Sequence, residues 1–409
     1  MKAGLVLAAL LAFAAHAATA APGGTEAGQR IERVVLLMRH GVRSPTKDPP
    51  LPPGIAADPW PRWEVAPGWL TPHGAQAVRQ LGRHDRAVLA EADVLPASGC
   101  PAAGSVAIVS DSDQRTIATG DAYLEGLLPG CLHDNDHRRQ GEADPLFSPL
   151  DGGATVLDAA EARQAVIAAA GPGGIAGAEA AQRGALARID RIYCGAAQAS
   201  CGVTGTPSGL ASDRPGKRPK LSGALDAGST AAQILLLQYA DGWPLDRVGW
   251  GRATRDDVAA VGALHAAEFA LLARPPYIAA RNIAPIARRM LAALTNGTAQ
   301  APRLTVLVGH DTNVASLGGL LDLHWRVDGF APDDPPPGGA LGLLLLRDAA
   351  GNRFVRALFR AQTLDEMRNL APLRRAAMTT MPVPGCPGRC LLADFVMLVE
   401  HRLSGVARP

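Results

Sequence analysis

The chain has 409 residues and carries 40 basic and 38 acidic side chains, a formal net charge of +2. That length holds one large domain or two ordinary ones, and the charge balance excludes a general nucleic-acid binder, which needs a basic excess. A 47% hydrophobic and 19% charged composition excludes bulk disorder, so any anion site must be local.

Residues 1–20 read as a secretory signal peptide. Lys2 supplies a short positive start, residues 5–15 form an apolar run too short to span a bilayer, and Ala18-Thr19-Ala20 fits the small-x-small cleavage rule. Export makes six cysteines read as disulfides. Local spacing favours Cys194–Cys201 and Cys386–Cys390, which leaves Cys100–Cys131. The rival reading is a zinc site at Cys386, Cys390 and His401, but no second close Cys or His pair completes four ligands.

Residues 33–38 (RVVLLM) are a continuous apolar run of strand length and predict a buried strand. A proline-rich loop follows. Thr71-Pro72 is an N-cap with proline at the first helical position, and predicts a helix over 72–91. Residues 105–109 read as a second buried strand, with a helix starting near Ser112. From 157 to 295 the signal is helical and alanine-rich, with apolar residues at three- and four-residue spacing in 175–192 and 253–273. Residues 200–220 interrupt it as an exposed loop. Residues 304–308 (LTVLV) are a third buried strand, and after the turn at 333–339, residues 340–347 and 353–360 read as a strand hairpin. The expected fold is α/β: a central, mainly parallel sheet flanked by helices, built from 31–156 and 296–409, with a mainly helical domain inserted at 157–295.

Three polar segments directly follow predicted buried strands, where open α/β sheets bind ligands. The first is Arg39-His40-Gly41-Val42-Arg43-Ser44-Pro45. Two arginines flank a histidine, and the guanidinium fork matches phosphate oxygens bidentately. A solvated basic turn is the bland alternative. The second is Gly309-His310-Asp311-Thr312-Asn313. Asp311 either caps the next helix or, with its pKa raised near charge or apolar walls, serves as a general acid. The third, at 110–116, holds Asp111 and Arg115. Arg115 falls in the first turn of a helix, where a cation opposes the helix dipole unless an anion sits nearby. Asp111 reads equally as a cap or as an acid near the site.

Together these segments resemble the histidine acid phosphatases. The family pattern RHGxRxP stands complete at 39–45, and HD stands as His310-Asp311. The stretches GWLTPHG (68–74), DPLF (144–147), GWGR (249–252), GHDTNVASLGG (309–319) and PPGG (336–339) are similar to bacterial periplasmic phytases. The cysteine positions match three disulfides of those enzymes, and a fourth family bridge has no cysteines here. The resemblance implies that His40 is the nucleophile and forms a phosphohistidine. Arg39, Arg43, Arg115 and His310 then hold phosphate oxygens, and Asp311 protonates the leaving alcohol. It implies no cofactor and no metal, and the sequence shows no Walker loop, HExxH or Asp-rich cluster.

Thr46 and Lys47 follow the nucleophile loop as in the phytases, and Lys47 is expected to contact a second phosphate. Gln233 aligns where those phytases carry an acidic residue, which keeps a broad-specificity or glucose-1-phosphatase-like acid phosphatase in play. His73, His84, His133, His137, His265, His324 and His401 match no family site and read as structural or surface residues. A phosphoglycerate mutase-like transferase and a phosphate-ester binding protein are the other readings. Export speaks against the first, and the intact catalytic positions speak against the second. The expected protein is a periplasmic or secreted monomer acting on a small phosphomonoester, with no nucleic-acid partner and no membrane contact after signal cleavage.

Overall fold

The computed structural model describes residues 28–197, 201–211, 216–374, 378–386 and 388–407. The expected signal peptide, residue 200 and residues 212–215 of the expected loop lie outside the described residues. The chain opens with β1 (Arg30–Arg39), α1 (Pro72–Glu91), β2 (Val106–Ser110), α2 (Gln114–Leu127) and β3 (Asn135–His137). A helical block follows: α3 (Ala159–Ala170), α4 (Gly174–Ala181), α5 (Arg183–Cys194), a small hairpin of β4 (Gly209–Leu210) and β5 (Leu221–Ser222), then α6 (Ala224–Ala240), α7 (Arg255–Leu272) and α8 (Pro276–Thr295). The chain returns through β6 (Leu304–Gly309), α9 (Asp311–Leu321), β7 (Ala340–Arg347), β8 (Arg353–Arg360), α10 (Leu364–Arg368), β9 (Met378–Met381) and α11 (Leu392–Arg402).

The predicted helix at 72–91 forms as read: Thr71 caps it by accepting from the Gly74 amide, and Pro72 opens the first turn. A Thr254–Asp257 capping box starts α7. The segment 175–192 divides at Gln182 into α4 and α5, a break that three- and four-residue spacing does not register because both halves keep it.

Seven strands form one sheet in the order β3-β2-β6-β1-β7-β8-β9. From β3 to β1 the strands run parallel, and β7, β8 and β9 are antiparallel. β1 is central, and its side chains alternate between two apolar layers. Val35 and Leu37 pack with α8, α9 and α11. Val34, Leu36 and Met38 pack with α1 and α2. This alternation is why a continuous apolar run is a strand buried on both faces. α3, α5, α6 and α7 gather around a separate apolar cluster that reaches back to Val42, Leu51 and Ala77 on the sheet side. The disulfides are Cys100–Cys131, Cys194–Cys201 and Cys386–Cys390, with Cα separations of 5.6, 5.8 and 5.1 Å. No single helix among the described residues is long and apolar enough to cross a membrane.

Register decides where the strands end. Arg39 pairs with Gly309, and both Met38 and Ser110 pair with Val308, so β1, β2 and β6 stop at one level. The turn at 333–339 closes over that level: Arg39 donates its amide to Gly339 O at 2.9 Å, and Gly338 donates to His40 O at 3.0 Å. Arg360 supports the turn from below by donating Nη1 to Gly338 O at 2.5 Å. Its Nε lies 3.0 Å from Asp85 Oδ2, both side chains being essentially inaccessible. Tyr123 also donates to Asp85, at 2.8 Å. Removing one member of a buried ion pair strands the other charge and costs about 3–5 kcal/mol. Arg360→Met should therefore lose about that much in urea denaturation, and Arg360→Met with Asp85→Asn should recover most of it. A single-variant loss below about 1 kcal/mol would show that Asp85 is not stranded.

Candidate active site

The three polar segments meet at the common level of β1, β2 and β6. His40 donates its backbone amide to Gly309 O at 2.9 Å, and Asp111 donates its own to Val308 O at 2.9 Å. Gly41 has no room for a side chain: a Cβ would stand 2.8 Å from Val78 Cγ2 and 3.0 Å from Leu70 Cδ1. Its amide donates to Thr119 Oγ1 at 3.0 Å, which ties the nucleophile loop to α2. His40 is 2% exposed. Its Nδ1 lies 2.9 Å from Gly41 O. A carbonyl can only accept, so Nδ1 carries the proton and Nε2 keeps its lone pair.

Arg39 is fully buried and donates Nη1 to Pro335 O at 2.6 Å and Nη2 to Gln233 Oε1 at 2.9 Å. The same Nη2 lies 2.9 Å from Asp311 Oδ2. Arg43 donates to Ser44 O at 2.9 Å. Arg115 pairs with Asp113 at 2.6 Å and approaches His310 Nδ1 at 3.4 Å. His310 Nε2 lies 2.5 Å from Asp111 Oδ2, and the His310 amide donates to Asn313 Oδ1. The His40 and His310 ring centroids are 5.7 Å apart. Asp311 opens α9, and its Oδ1 accepts from the Thr312 amide at 2.8 Å. The N-termini of α2 and α9 thus face one point, which favours an anion there.

Thus His40, Arg39, Arg43, Arg115, His310 and Asp311 converge as expected, and Asp111 joins them through His310. Asp111 does not cap α2, whose N-cap is Asp113. Lys47 and Thr46 are not brought to this cavity. Residues 43–45 are bonded to 68–70, through Ser44 N to Trp69 O and Gly68 N to Pro45 O. Lys47 lines a neighbouring cavity with Trp60, Arg62 and Trp63, and Thr46 is exposed. Gln233 enters the site through Arg39. Five acids in or beside the site were not singled out by sequence: Asp113, Asp151, Asp226, Glu268 and Asp334. His265, read as structural, lies 4.0 Å from Asp311 Oδ2. Its helical face alone does not reveal this, because the contact crosses from α7 to α9.

The cavity measures about 540 Å³ and is lined by His40, Arg43, Arg115, His310 and Asp311, and also by Lys217, Arg218 and Lys220 of the interrupting loop. Asp111, Asp113 and His310 lie close enough together to hold a metal ion. However, Asp111 Oδ2 is taken by His310 and Asp113 Oδ2 by Arg115.

The crowd of cations governs the titration of the site. Burial first, then Arg115, Arg43, Arg39 and His310, hold the His40 pKa well below that of a free imidazole. Burial, Arg115 and Arg39 bring Arg43 down to about 9, which still leaves it charged in acid. Asp311 reverses the sequence expectation of a raised pKa. Burial pushes it up, but Arg39, His265, His40 and Arg43 outweigh burial and hold it well below the carboxylate range.

The chain as a whole has counterparts among known proteins. The family model for the Histidine phosphatase superfamily (branch 2) matches residues 30–181 and 254–360. The chain belongs to this family. It is 35% identical to the phytase AppA of Escherichia coli (strain K12) over 405 residues, covering 91% of this chain and 92% of that one. It is 27% identical to a glucose-1-phosphatase of Salmonella typhimurium over 412 residues, covering 95% of each. Among solved structures, Hafnia alvei phytase in complex with myo-inositol hexakis sulphate superposes with a TM-score of 0.84 at 31% identity, covering 93% of this chain and 99% of that one. This histidine phosphatase is therefore a hydrolase of the acid phosphatase and phytase type.

An anion bound among Arg39, Arg43 and Arg115 offsets the potential that keeps Asp311 ionised and His40 neutral. Both pKa values then rise, so binding takes up protons. Sulfate, which does not titrate near about pH 5, should bind with net proton uptake in calorimetry across buffers of different ionisation enthalpy. The uptake should fall in Asp311→Asn. Binding enthalpies that do not depend on the buffer would contradict this electrostatic reading.

Proposed function

We propose that this phosphatase is an exported enzyme that hydrolyses inositol polyphosphates such as phytate through a phosphohistidine on His40. One observation carries the mechanism: His40 Nδ1 is tied to Gly41 O, which aims an unprotonated Nε2 into a ring of three arginines, Arg39 buried and Arg43 and Arg115 half-buried. Nε2 attacks phosphorus while Arg39, Arg43, Arg115 and His310 hold the non-bridging oxygens and offset the charge that builds on them. Asp311 gains its proton when the phosphate dianion arrives and gives it to the leaving alkoxide. It then accepts a proton from the water that attacks phosphohistidine. The division into 31–156 with 296–409 and an inserted 157–295, and the monomeric state, belong to the same proposal.

Phytate as substrate is supported by the likeness to two phytases, one of them bound to a hexasulfated inositol. The cavity is also much larger than one phosphate requires, with a size typical of whole-ligand sites. Beyond the reacting phosphate its wall carries Lys217 and Lys220, paired with the acids Asp151 and Asp226. Pairs exposed to this degree are weak and yield to a phosphate. The second-phosphate contact expected of Lys47 passes, in this reading, to Lys217 and Lys220. A glucose-1-phosphatase-like preference is the second reading, favoured by the glucose-1-phosphatase likeness and by the neutral Gln233 against Arg39. Export is supported by three disulfides.

Two experiments separate these elements. A general acid matters most for a poor leaving group and contributes about 10²–10⁴-fold. Asp311→Asn should lose a factor of that order in kcat/KM on phytate or glucose 1-phosphate, and distinctly less on p-nitrophenyl phosphate. Equal losses would make Asp311 an electrostatic partner rather than an acid. Lys217→Ala with Lys220→Ala should cut kcat/KM for phytate about tenfold, equivalent to about 1.4 kcal/mol, and leave p-nitrophenyl phosphate nearly unchanged. Equal effects on both would remove the polyphosphate role of that wall.

A further inference from the structure

α7 passes beside the site with His265 and Glu268 three residues apart, a spacing that puts both on one helical face. His265 is 5% exposed. Its Nδ1 lies 2.6 Å from Asp334 Oδ1, and its ring packs edge-on against Phe269 with centroids 4.3 Å apart. Two constraints on one ring leave it a single orientation. With Nδ1 committed to Asp334, Nε2 points the other way and stands 4.0 Å from Asp311 Oδ2.

Asp334 is itself 1% exposed, and its second oxygen has no hydrogen-bond partner. A carboxylate in such a place is costly unless something uses it. Packing alone would favour a neutral residue, because the backbone of this turn is already secured. Trp325 Nε1 donates to Asp334 O at 3.1 Å, and Asp334 N donates to Ala331 O at 3.2 Å. The next residue, Pro335, accepts from Arg39, and Gly338 donates to His40. One short turn therefore fixes Arg39, His40 and, through Asp334, His265. All three act on Asp311.

Carboxylate, imidazole and reacting carboxyl thus stand in line, the arrangement in which a third group orients an acid–base residue. We propose that His265, oriented by Asp334, is a positioning residue for Asp311, acting electrostatically on Oδ2 of the acid across 4.0 Å. The inference rests on the reading of Asp311 as the proton donor. Asp311 Oδ1 is pinned by the Thr312 amide, so Oδ2 is the oxygen that carries the transferable proton. Its neighbours are Arg39, at 2.9 Å, and His265. Once a phosphate engages the arginines, His265 is the group beside Oδ2 that the substrate does not claim.

The charged and titratable groups around the pair are few. Facing Asp311 are Arg39 from β1, His40 and Arg43 from the loop after it, and His265 and Glu268 from α7, with His310 beside it in the chain. Facing His265 are Asp334 from the turn, Asp311 from α9 and Glu268 from its own helix. Glu268 bonds Ser229 of α6, and burial raises its pKa, which reduces its charge in acid. Positive potential from His265 favours the ionised form of Asp311. An opposite charge at such a distance moves a carboxylate by about 1–3 pH units. Without His265 the acid keeps its proton to higher pH.

The test is the pH profile of kcat/KM for glucose 1-phosphate or phytate, whichever is hydrolysed, with p-nitrophenyl phosphate as the good-leaving-group control. In His265→Gln the alkaline limb should move up by about one pH unit, and the loss in kcat/KM should be larger for the alkoxide substrate. An unmoved limb in folded His265→Gln would overturn the proposal, as would equal losses on both substrates. A second measurement leaves His265 in place. The ¹⁵N signals of the His265 ring should move in Asp311→Asn and in Asp334→Asn, and an unchanged ring in either variant would equally overturn it. Failure of the underlying reading looks different: Asp311→Asn would itself show no dependence on the leaving group.

Discussion

Three buried or half-buried guanidinium groups around one imidazole are the constraint on which the rest of the molecule depends. Arg39, Arg43 and Arg115 repel one another, and burial removes the water that would screen them. The fold holds them with fixed acceptors: Pro335 O and Gln233 for Arg39, Ser44 O for Arg43 and Asp113 for Arg115. Those acceptors come from a turn between α9 and β7, from α6, from the nucleophile loop and from the N-cap of α2. The arrangement is therefore a property of several chain segments at once.

The same crowding sets the protonation states that acid chemistry needs. In acid a free imidazole is protonated and a poor nucleophile, whereas burial and the cations around His40 favour its neutral form. The potential that frees His40 also strips Asp311 of its proton. In the proposed mechanism, nucleophile and acid are ready together only after a dianion has entered, so substrate binding arms the acid.

Precision at this level comes from the sheet. Parallel pairing of β1, β2 and β6 brings Arg39, Gly309 and Ser110 to nearly one height, so each following residue projects into the same space. The antiparallel β7 returns beside β1 and carries the 333–339 turn over His40. Arg360 on β8 holds that turn from below. Peripheral contacts follow a different logic. Lys47 is close to the nucleophile in sequence but lines a neighbouring cavity with Trp60 and Trp63, while Lys217 and Lys220 reach the site cavity from the β4–β5 connection.

By itself the sequence determined the strands at 33–38, 105–109 and 304–308, the capped helix at 72–91, the disulfide partners and the three polar segments that the strand ends bring together. Each of these rests on a local rule. Apolar runs mark buried strands, a Thr-Pro start marks a helix, short spacing pairs cysteines, and motif residues follow strand ends in the chain itself. Only the tertiary structure decided the depressed pKa of Asp311, the contact of Gln233 with Arg39, the displacement of Lys47 and the place of His265 and Asp334. These are relations between segments tens to hundreds of residues apart: Arg39 meets Gln233 across 194 positions, and His265 meets Asp334 across 69. Charge, burial and direction are summed over such neighbours, and no local pattern contains the sum.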